Sequence, residues 1–463
     1  MLKRIQRLVH EEICNSLTDP GAAASPSGGG GGGADAVIAR QPIFDTKGNI
    51  WGYELLYRRS RAHPHADIQR GAVATANAIS NGIEIALQSL RPDQKLLINF
   101  PASMIETRVI QLLPSRQCIL EILEDVEPTP DVFAALKEIK AAGYLLALDD
   151  YAGQQSLIPF LPLADIVKFD VLNRAEGSIA ELVNSLGDLP CIRLAEKVED
   201  KRSRKSCQKC GCTLFQGYFF NRPELLPDKS CPASLTERMR IIALLSEEPM
   251  NVKALGDAIL HMPALAAKLL AFVNSPRFAF KEKVNSVQRA LWLMGTTTFT
   301  QWLCVTVLAS LHRRPFSTEL SLLASQRAKF LERLGLALQE RNRLPKGIKP
   351  QGLFFLGLFS LLEAIARLPL QTVLQGVPLA TKIMDALLGK ASVYSPWLTM
   401  FTAYQRGEWE TALALAADYG LEERDLFSAW AFALRWSSEF FSPDSGGASA
   451  GQKPAQQKAP SPI

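Results

Sequence analysis

Glu54, Asn99, Glu121, Asp149 with Asp150, Lys168, Glu196 and Gln216 fall at or next to the ends of seven short apolar runs of strand character. The runs are Ile50 to Tyr57, Leu96 to Phe100, Cys118 to Leu123, Tyr144 to Leu148, Asp165 to Phe169, Cys191 to Ala195 and Leu214 to Phe220. In a parallel barrel every strand C-terminus opens on one face, so residues far apart in sequence would meet there. Carboxylates gathered in that way repel one another, by about 4 kcal/mol per pair of unit charges a few Å apart at an effective dielectric near 20. A cation must hold them. Oxygen donors without histidine or thiolate select a hard divalent ion, Mg²⁺ or Mn²⁺, and an Asp-Asp pair suits bridging two of them. Two such ions serve phosphodiester hydrolysis: they polarise the phosphoryl group, lower the pKa of a bound water and steady the leaving oxygen.

The elements that must position these groups follow from the texture of the chain. Helix-compatible stretches separate most of the runs, such as Asp131 to Ala142 with Val132, Leu136 and Ile139 on one stripe. Alternating strand and helix implies mostly parallel pairing through crossover helices. No glycine-rich phosphate loop favours an open nucleotide-binding sheet, so the expected fold is an α/β TIM-like (β/α) barrel. After Pro227 the strand signal fades. Leu235 to Leu245, Val252 to Leu260, Pro263 to Val273, Val287 to Leu311 and segments up to Trp436 carry apolar residues at helical spacing, which predicts an all-α helical domain. The expected organisation is a flexible segment and Gly-rich linker over residues 1–35, a barrel over 36–228, a helical domain over 229–442 and a disordered tail over 443–463.

Composition excludes other classes. The 463 residues carry 51 Lys and Arg against 46 Asp and Glu, a net charge of +5, too slight to argue a nucleic-acid-binding surface. Eight cysteines in so long a chain make no disulfide framework. The N-terminus is amphipathic but lacks a signal-peptide core, and the most apolar stretches are too short or carry Glu363 and Arg367, so no membrane span and a cytoplasmic location are expected. Cys207, Cys210 and Cys212 lack the further ligand a zinc site needs and read as packing; Trp292, Phe299 and Trp302 read as core.

The motifs around the strand ends resemble those of the EAL domains, cyclic di-GMP phosphodiesterases with a TIM-like barrel. Gly52-Tyr53-Glu54-Leu55-Leu56-Tyr57-Arg58 matches the signature, and Asn99 in LLINF, Glu121 and Glu124 in LEILE, Asp149-Asp150 in ALDDYAG, Lys168 and Asp170 in VKFD, Glu196 and Glu199 in AEKVE, and Gln216 in FQGYFFNRP follow in order. The resemblance, which covers roughly Val37 to Glu224, implies metal ligation by Glu54, Asn99, Glu121, Asp149 and Asp150, with Glu196 joining them or assisting the water. It further implies that Lys168 holds or polarises that water, Arg58 and Gln216 contact substrate, and Glu124 and Glu199 brace the loop after Asp150. The implied reaction opens cyclic di-GMP to linear pGpG, and the dimer typical of this barrel is an expected assembly. Two departures stand out: Tyr151-Ala152-Gly153-Gln154 replaces the usual Phe-Gly-Thr-Gly type loop, and Lys197 replaces a glycine. They motivate an alternative, a non-enzymatic receptor or scaffold in which the barrel binds the dinucleotide or only a protein.

The helical half resembles the HDOD output domain. Met262-Pro263-Ala264-Leu265 through Leu270, then Val273-Asn274-Ser275, Ser286-Val287-Gln288-Arg289-Ala290 and Leu293-Met294-Gly295 carry that likeness, which implies a protein partner for this half. The parent superfamily includes phosphohydrolases that need adjacent His and Asp; none of the five histidines is followed by Asp, so a second hydrolytic site is not expected.

Overall fold

A computed structural model describes residues 37–58, 82–172, 174–217, 233–247, 250–275, 278, 280, 283–311, 315–375 and 377–441. The expected linker, the tail and the boundary between residues 228 and 229 lie outside the described residues, as does the Arg58 side chain. Eight strands close into a barrel: β1 (Val37–Asp45), β2 (Ile50–Arg58), β3 (Lys95–Phe100), β4 (Cys118–Ile122), β5 (Leu145–Leu148), β6 (Ile166–Asp170), β7 (Ile192–Glu196) and β8 (Leu214–Gln216). β2 to β8 are parallel to their neighbours, whereas β1 runs antiparallel to both β2 and β8. β1 is absent from the seven expected runs. It joins β2 through a tight turn rather than a crossover helix, so the alternation of strand and helix does not reveal it.

Period-two alternation explains how the barrel places its polar groups. Ile43, Leu97, Ile119, Ala147, Ile166, Leu194 and Leu214 form one buried cluster inside the barrel. Two residues further along each parallel strand, on the same face, stand Asn99, Glu121, Asp149, Lys168, Glu196 and Gln216. On antiparallel β1 the equivalent step runs backwards, from Ile43 to Gln41, which pairs with Glu54 in register. The apolar layer is the floor of the site.

The crossovers are set by local chemistry. Thr129 accepts from Val132 N at 3.3 Å and starts helix Pro130–Ala141, which buries Val132, Ala135, Leu136 and Ile139. Asp200 does the same for Lys201–Lys209, accepting from Ser203 N at 2.7 Å. Cys207 and Cys212 are buried thiols of this packing. Gly217 ends β8 at φ 138°, where a Cβ would lie 2.3 Å from the Val198 carbonyl oxygen.

The second half is helical throughout its described residues. Its central helix, Pro315–Glu340, crosses Pro350–Phe359 so closely that a Cβ on Gly357 would lie 2.5 Å from Ala328 N. The expected single stretch Val287 to Leu311 is two helices, Val287–Met294 and Thr296–Ala309, because Gly295 takes φ 76°. Phe299 and Trp302 are core, but Trp292 is 85% exposed; its helix buries Val287, Ala290, Leu291 and Met294, a stripe that leaves position 292 facing out. No single helix among the described residues is long and apolar enough to cross a membrane. Val252–Leu260 and Pro263–Val273, apolar as a pair, bend by 112° and bury Leu255, Ile259, Leu265 and Leu269.

The two halves meet along β1. Helices Ser395–Arg406 and Glu423–Phe441 pack on it, and the Tyr404 hydroxyl donates to the Ile38 carbonyl oxygen. Arg91 pairs with Glu319 of the central helix. Nearby, buried Arg40 lies 3.9 Å from the Tyr53 ring centroid and donates to Ser89 Oγ at 2.6 Å.

Candidate active site at the barrel mouth

Strand geometry brings seven of the expected polar positions into one group centred on Lys168, whose side chain is 1% exposed. Its ammonium contacts Asp149 at 2.8 Å, Glu196 at 2.8 Å, Glu54 at 3.4 Å and, most closely, Glu121. Asn99 donates to Glu54 Oε1 at 3.4 Å, and Gln216 donates to Glu54 Oε2 at 2.6 Å. Four carboxylates thus surround one ammonium, which leaves three negative charges uncompensated if all ionise. Part of the cationic role that sequence reasoning gave to metal alone falls to Lys168.

The electrostatics follow from that imbalance. Burial alone would push the Lys168 ammonium down, but Glu121, Glu196, Glu54 and Asp149 together hold it well above the usual lysine value. Burial, reinforced by repulsion from Glu54, Asp149 and Glu196, lifts the Glu121 carboxyl well above the usual range despite Lys168. Burial likewise pushes Glu196 up to about 8, with Lys168 opposing and Asp149 and Glu54 adding to the rise. Asp150 is raised by burial and by its neighbour Asp149.

The donor set fits divalent cations. Glu121 Oε2, Asn99 Oδ1, Asp150 Oδ1 and Gln216 Oε1 are buried with no hydrogen-bond partner among the described residues. Each such orphan costs about 1–3 kcal/mol unless something satisfies it. Glu124, Asp149 and Asp150 offer carboxylate oxygens within 4.8 Å of one another, a second point of convergence beside the Lys168 cluster. All of these donors are oxygens, the set that Mg²⁺, Mn²⁺ or Ca²⁺ takes.

Around the rim the structure differs in detail from the expectations. Glu199 is exposed and makes no hydrogen bond or ion pair among the described residues. The loop after Asp150 is clasped by Gln154, which accepts from Ala152 N at 2.6 Å and donates to the Asp150 carbonyl at 3.0 Å. Tyr151 anchors it from below, with its N–H on the Lys168 carbonyl at 3.0 Å and its ring edge-on to Phe169. Asp150 has φ 39° and Lys197 φ 53°, left-handed backbone that explains why glycine suits position 197. Lys197 compensates with an ion pair to Asp170 at 2.6 Å. Gln41, also missed, accepts from Gln216 at 2.8 Å; its position two residues from Ile43 is the signal that would have found it.

Residues 232–375 match the HDOD domain family. The helical half carries an HDOD domain. The barrel that precedes it carries the series of motifs that resembles the EAL domains. Two curated relatives span nearly all of their own length on this chain. The uncharacterized protein YuxH of Bacillus subtilis is 28% identical over 406 residues, 86% of this chain and 97% of its own. The cyclic di-GMP phosphodiesterase CdgJ of Vibrio cholerae is 27% identical over 405 residues, 87% and 92% respectively. Among solved structures, Bacillus subtilis YkuI, a protein with an EAL domain in complex with cyclic di-GMP and calcium, is 16% identical with a TM-score of 0.35, covering 56% of this chain and 72% of its own.

Proposed function

We propose that the chain is a metal-dependent phosphodiesterase that opens cyclic di-GMP to linear pGpG, with the HDOD half as output or regulatory domain. The observation that carries this reading is the convergence of Glu54, Asn99, Glu121, Asp149 and Glu196 on one buried point beside unsatisfied oxygen acceptors. CdgJ, which matches over both halves, acts on the same dinucleotide.

In this reading Glu54, Asn99, Glu121, Asp149 and Asp150 hold Mg²⁺ or Mn²⁺, with Glu196 as a further ligand or as the group that assists the nucleophilic water. The ions supply electrophilic activation of the phosphoryl group and of water when bound. Lys168, fixed by four carboxylates, keeps its proton at working pH and steadies the water and the charge that develops in the transition state. Gln216, anchored between Gln41 and Glu54, positions water or substrate, and Arg58 contacts a substrate phosphate. Glu124 braces the loop after Asp150, and Glu199 is the second brace in the same reading. The functional units are the barrel over residues 36–228 and the helical domain over 229–442, flanked by the segments 1–35 and 443–463. A cytoplasmic location, a homodimer through the barrel and a protein partner on the HDOD domain complete the proposal. The test is pGpG production by the purified full chain with Mn²⁺: turnover above that of a Glu54→Ala control is expected, and binding of the dinucleotide with no turnover would replace the enzyme by a receptor.

A further inference from the structure

The helical half contains a cavity of about 470 Å³ that none of the barrel chemistry uses. It lies where helix Pro350–Phe359 begins, and Gln351 and Gly352 of that first turn line it. Its N-cap residue, Lys349, makes no side-chain cap, and first-turn N–H groups have no intrahelical acceptor, so the opening carries partial positive charge. Lys382 adds an ammonium group beside Gly347 of the lining, and no carboxylate lines it among the described residues. Lys382 forms no ion pair among those residues.

A second, buried group points the same way. Tyr394 is 3% exposed and lines the cavity, and its hydroxyl accepts from Lys349 N at 3.2 Å. The hydroxyl proton has no acceptor among the described residues, although a buried donor left unmade costs free energy. Gly352 keeps the space open, because a Cβ there would lie 2.5 Å from the Tyr394 oxygen. The remaining wall is apolar, with Phe355 and Leu379.

We propose that this cavity binds a small organic anion, a compact oxyanion joined to a planar apolar group, with the oxyanion at the Gln351–Gly352 turn between Lys382 and Tyr394 and the apolar group against Phe355 and Leu379. Oxyanions accept from N–H, O–H and ammonium donors at once, the three kinds of donor gathered here. A cavity of this size holds a ligand of some twenty non-hydrogen atoms at most, so the ligand class is a metabolite rather than a peptide.

Calorimetric titration of the full-length protein, in chelator so that metal at the barrel does not contribute, uses phenyl phosphate, benzoate and inorganic phosphate as probes. Saturable binding of phenyl phosphate or benzoate, tighter than that of inorganic phosphate, is expected; the better of the two identifies a phosphate or a carboxylate as the oxyanion. Lys382→Glu should weaken it about tenfold or more, and Tyr394→Phe and Gly352→Ala should each weaken it about three- to tenfold. Absence of saturable binding by either aromatic probe overturns the proposal, as does binding that Lys382→Glu and Tyr394→Phe leave unchanged. Tyr394→Phe retains the packed ring, and Lys382 is exposed, so matching melting temperatures of variants and parent in probe-free buffer establish that lost binding is not lost folding.

Discussion

The Tyr404 hydroxyl, 366 positions along the chain from Ile38, donates to the Ile38 carbonyl oxygen. That contact fixes the strand that sequence periodicity does not expose. Three residues further along β1, Gln41 accepts from Gln216, which in turn donates to Glu54 in the carboxylate cluster. The HDOD-bearing half therefore holds the barrel strand whose other end of the ladder orients a site carboxylate.

Tyr404→Phe tests that grip. Tyr404 is 1% exposed, so the change strands a buried carbonyl acceptor while keeping the ring that packs on Phe330 and Trp409. A loss of about 1–3 kcal/mol is expected in urea unfolding of the full chain. A strand held less firmly should also lower dinucleotide turnover by a factor smaller than that of any change in the carboxylate cluster. Unchanged stability would mean that the helical half rests on β1 without holding it.

Lys168→Met removes the one ammonium among four carboxylates and leaves a side chain of similar length. Breaking a buried ion network in this way costs about 3–5 kcal/mol, because the charges left behind stay desolvated. In chelator the variant should melt well below the parent, and Mn²⁺ should recover more of its stability than it adds to the parent. Turnover with Mn²⁺ should fall by about 10²–10⁴-fold, the usual scale for a group that handles protons or charge in the transition state. A variant that melts with the parent in chelator would show that the cluster is already neutralised by protonation.

How much of this was legible in the sequence depends on the reach of each interaction. Seven strands and their polar ends could be read because apolar runs and the residues that close them are local signals, and Leu97 with Asn99 or Ile119 with Glu121 repeat one pattern. The helix boundaries Val252–Leu260 and Pro263–Val273 were legible for the same reason, with Asn251 capping one and Pro263 opening the other. What could not be read is relational. β1 earns its place only by pairing with β2 and β8 at once, Lys168 becomes the hub only when four distant strands close, and Trp292 looks like core until its helix turns the neighbouring stripe inward. Gln154 as the clasp of the Asp150 loop depends on a turn geometry that residue types alone do not specify.

That clasp supplies a third prediction. Gln154→Ala removes both hydrogen bonds from the segment that keeps Asp150 at φ 39°, a left-handed conformation for a residue that is not glycine. Gln154 is partly exposed, so global stability should change by less than about 1 kcal/mol. Metal affinity should drop several-fold, because Asp150 then samples other conformations, and Gln154→Glu should recover part of it by keeping the acceptor for Ala152 N. Hydrogen exchange at Ala152 and equilibrium Mn²⁺ titration measure the two effects; equal affinity in all three proteins would place the organisation of Asp150 elsewhere.

The raised carboxyls make metal uptake depend on pH. Glu196 titrates near 8 in the folded chain, against about 4.5 for an unperturbed glutamate, and Glu121 is shifted in the same direction. The folded protein therefore holds a proton on Glu196 that the unfolded chain has already lost between about pH 4.5 and 8. The contribution of this group to metal-free stability is fully present below about 4.5 and is lost as pH rises through about 8. A divalent ion needs the ionised form, so binding must expel the proton. Apparent Mn²⁺ affinity should climb between about pH 6 and 8 and flatten above that, and titrations at about pH 7 in two buffers of different ionisation enthalpy should report proton release that disappears by about pH 9. Mn²⁺ should correspondingly raise the melting temperature more at about pH 8 than at pH 6. An affinity that does not vary over this interval would mean that Glu196 binds metal without first giving up a proton, which its burial beside Asp149 and Glu54 argues against.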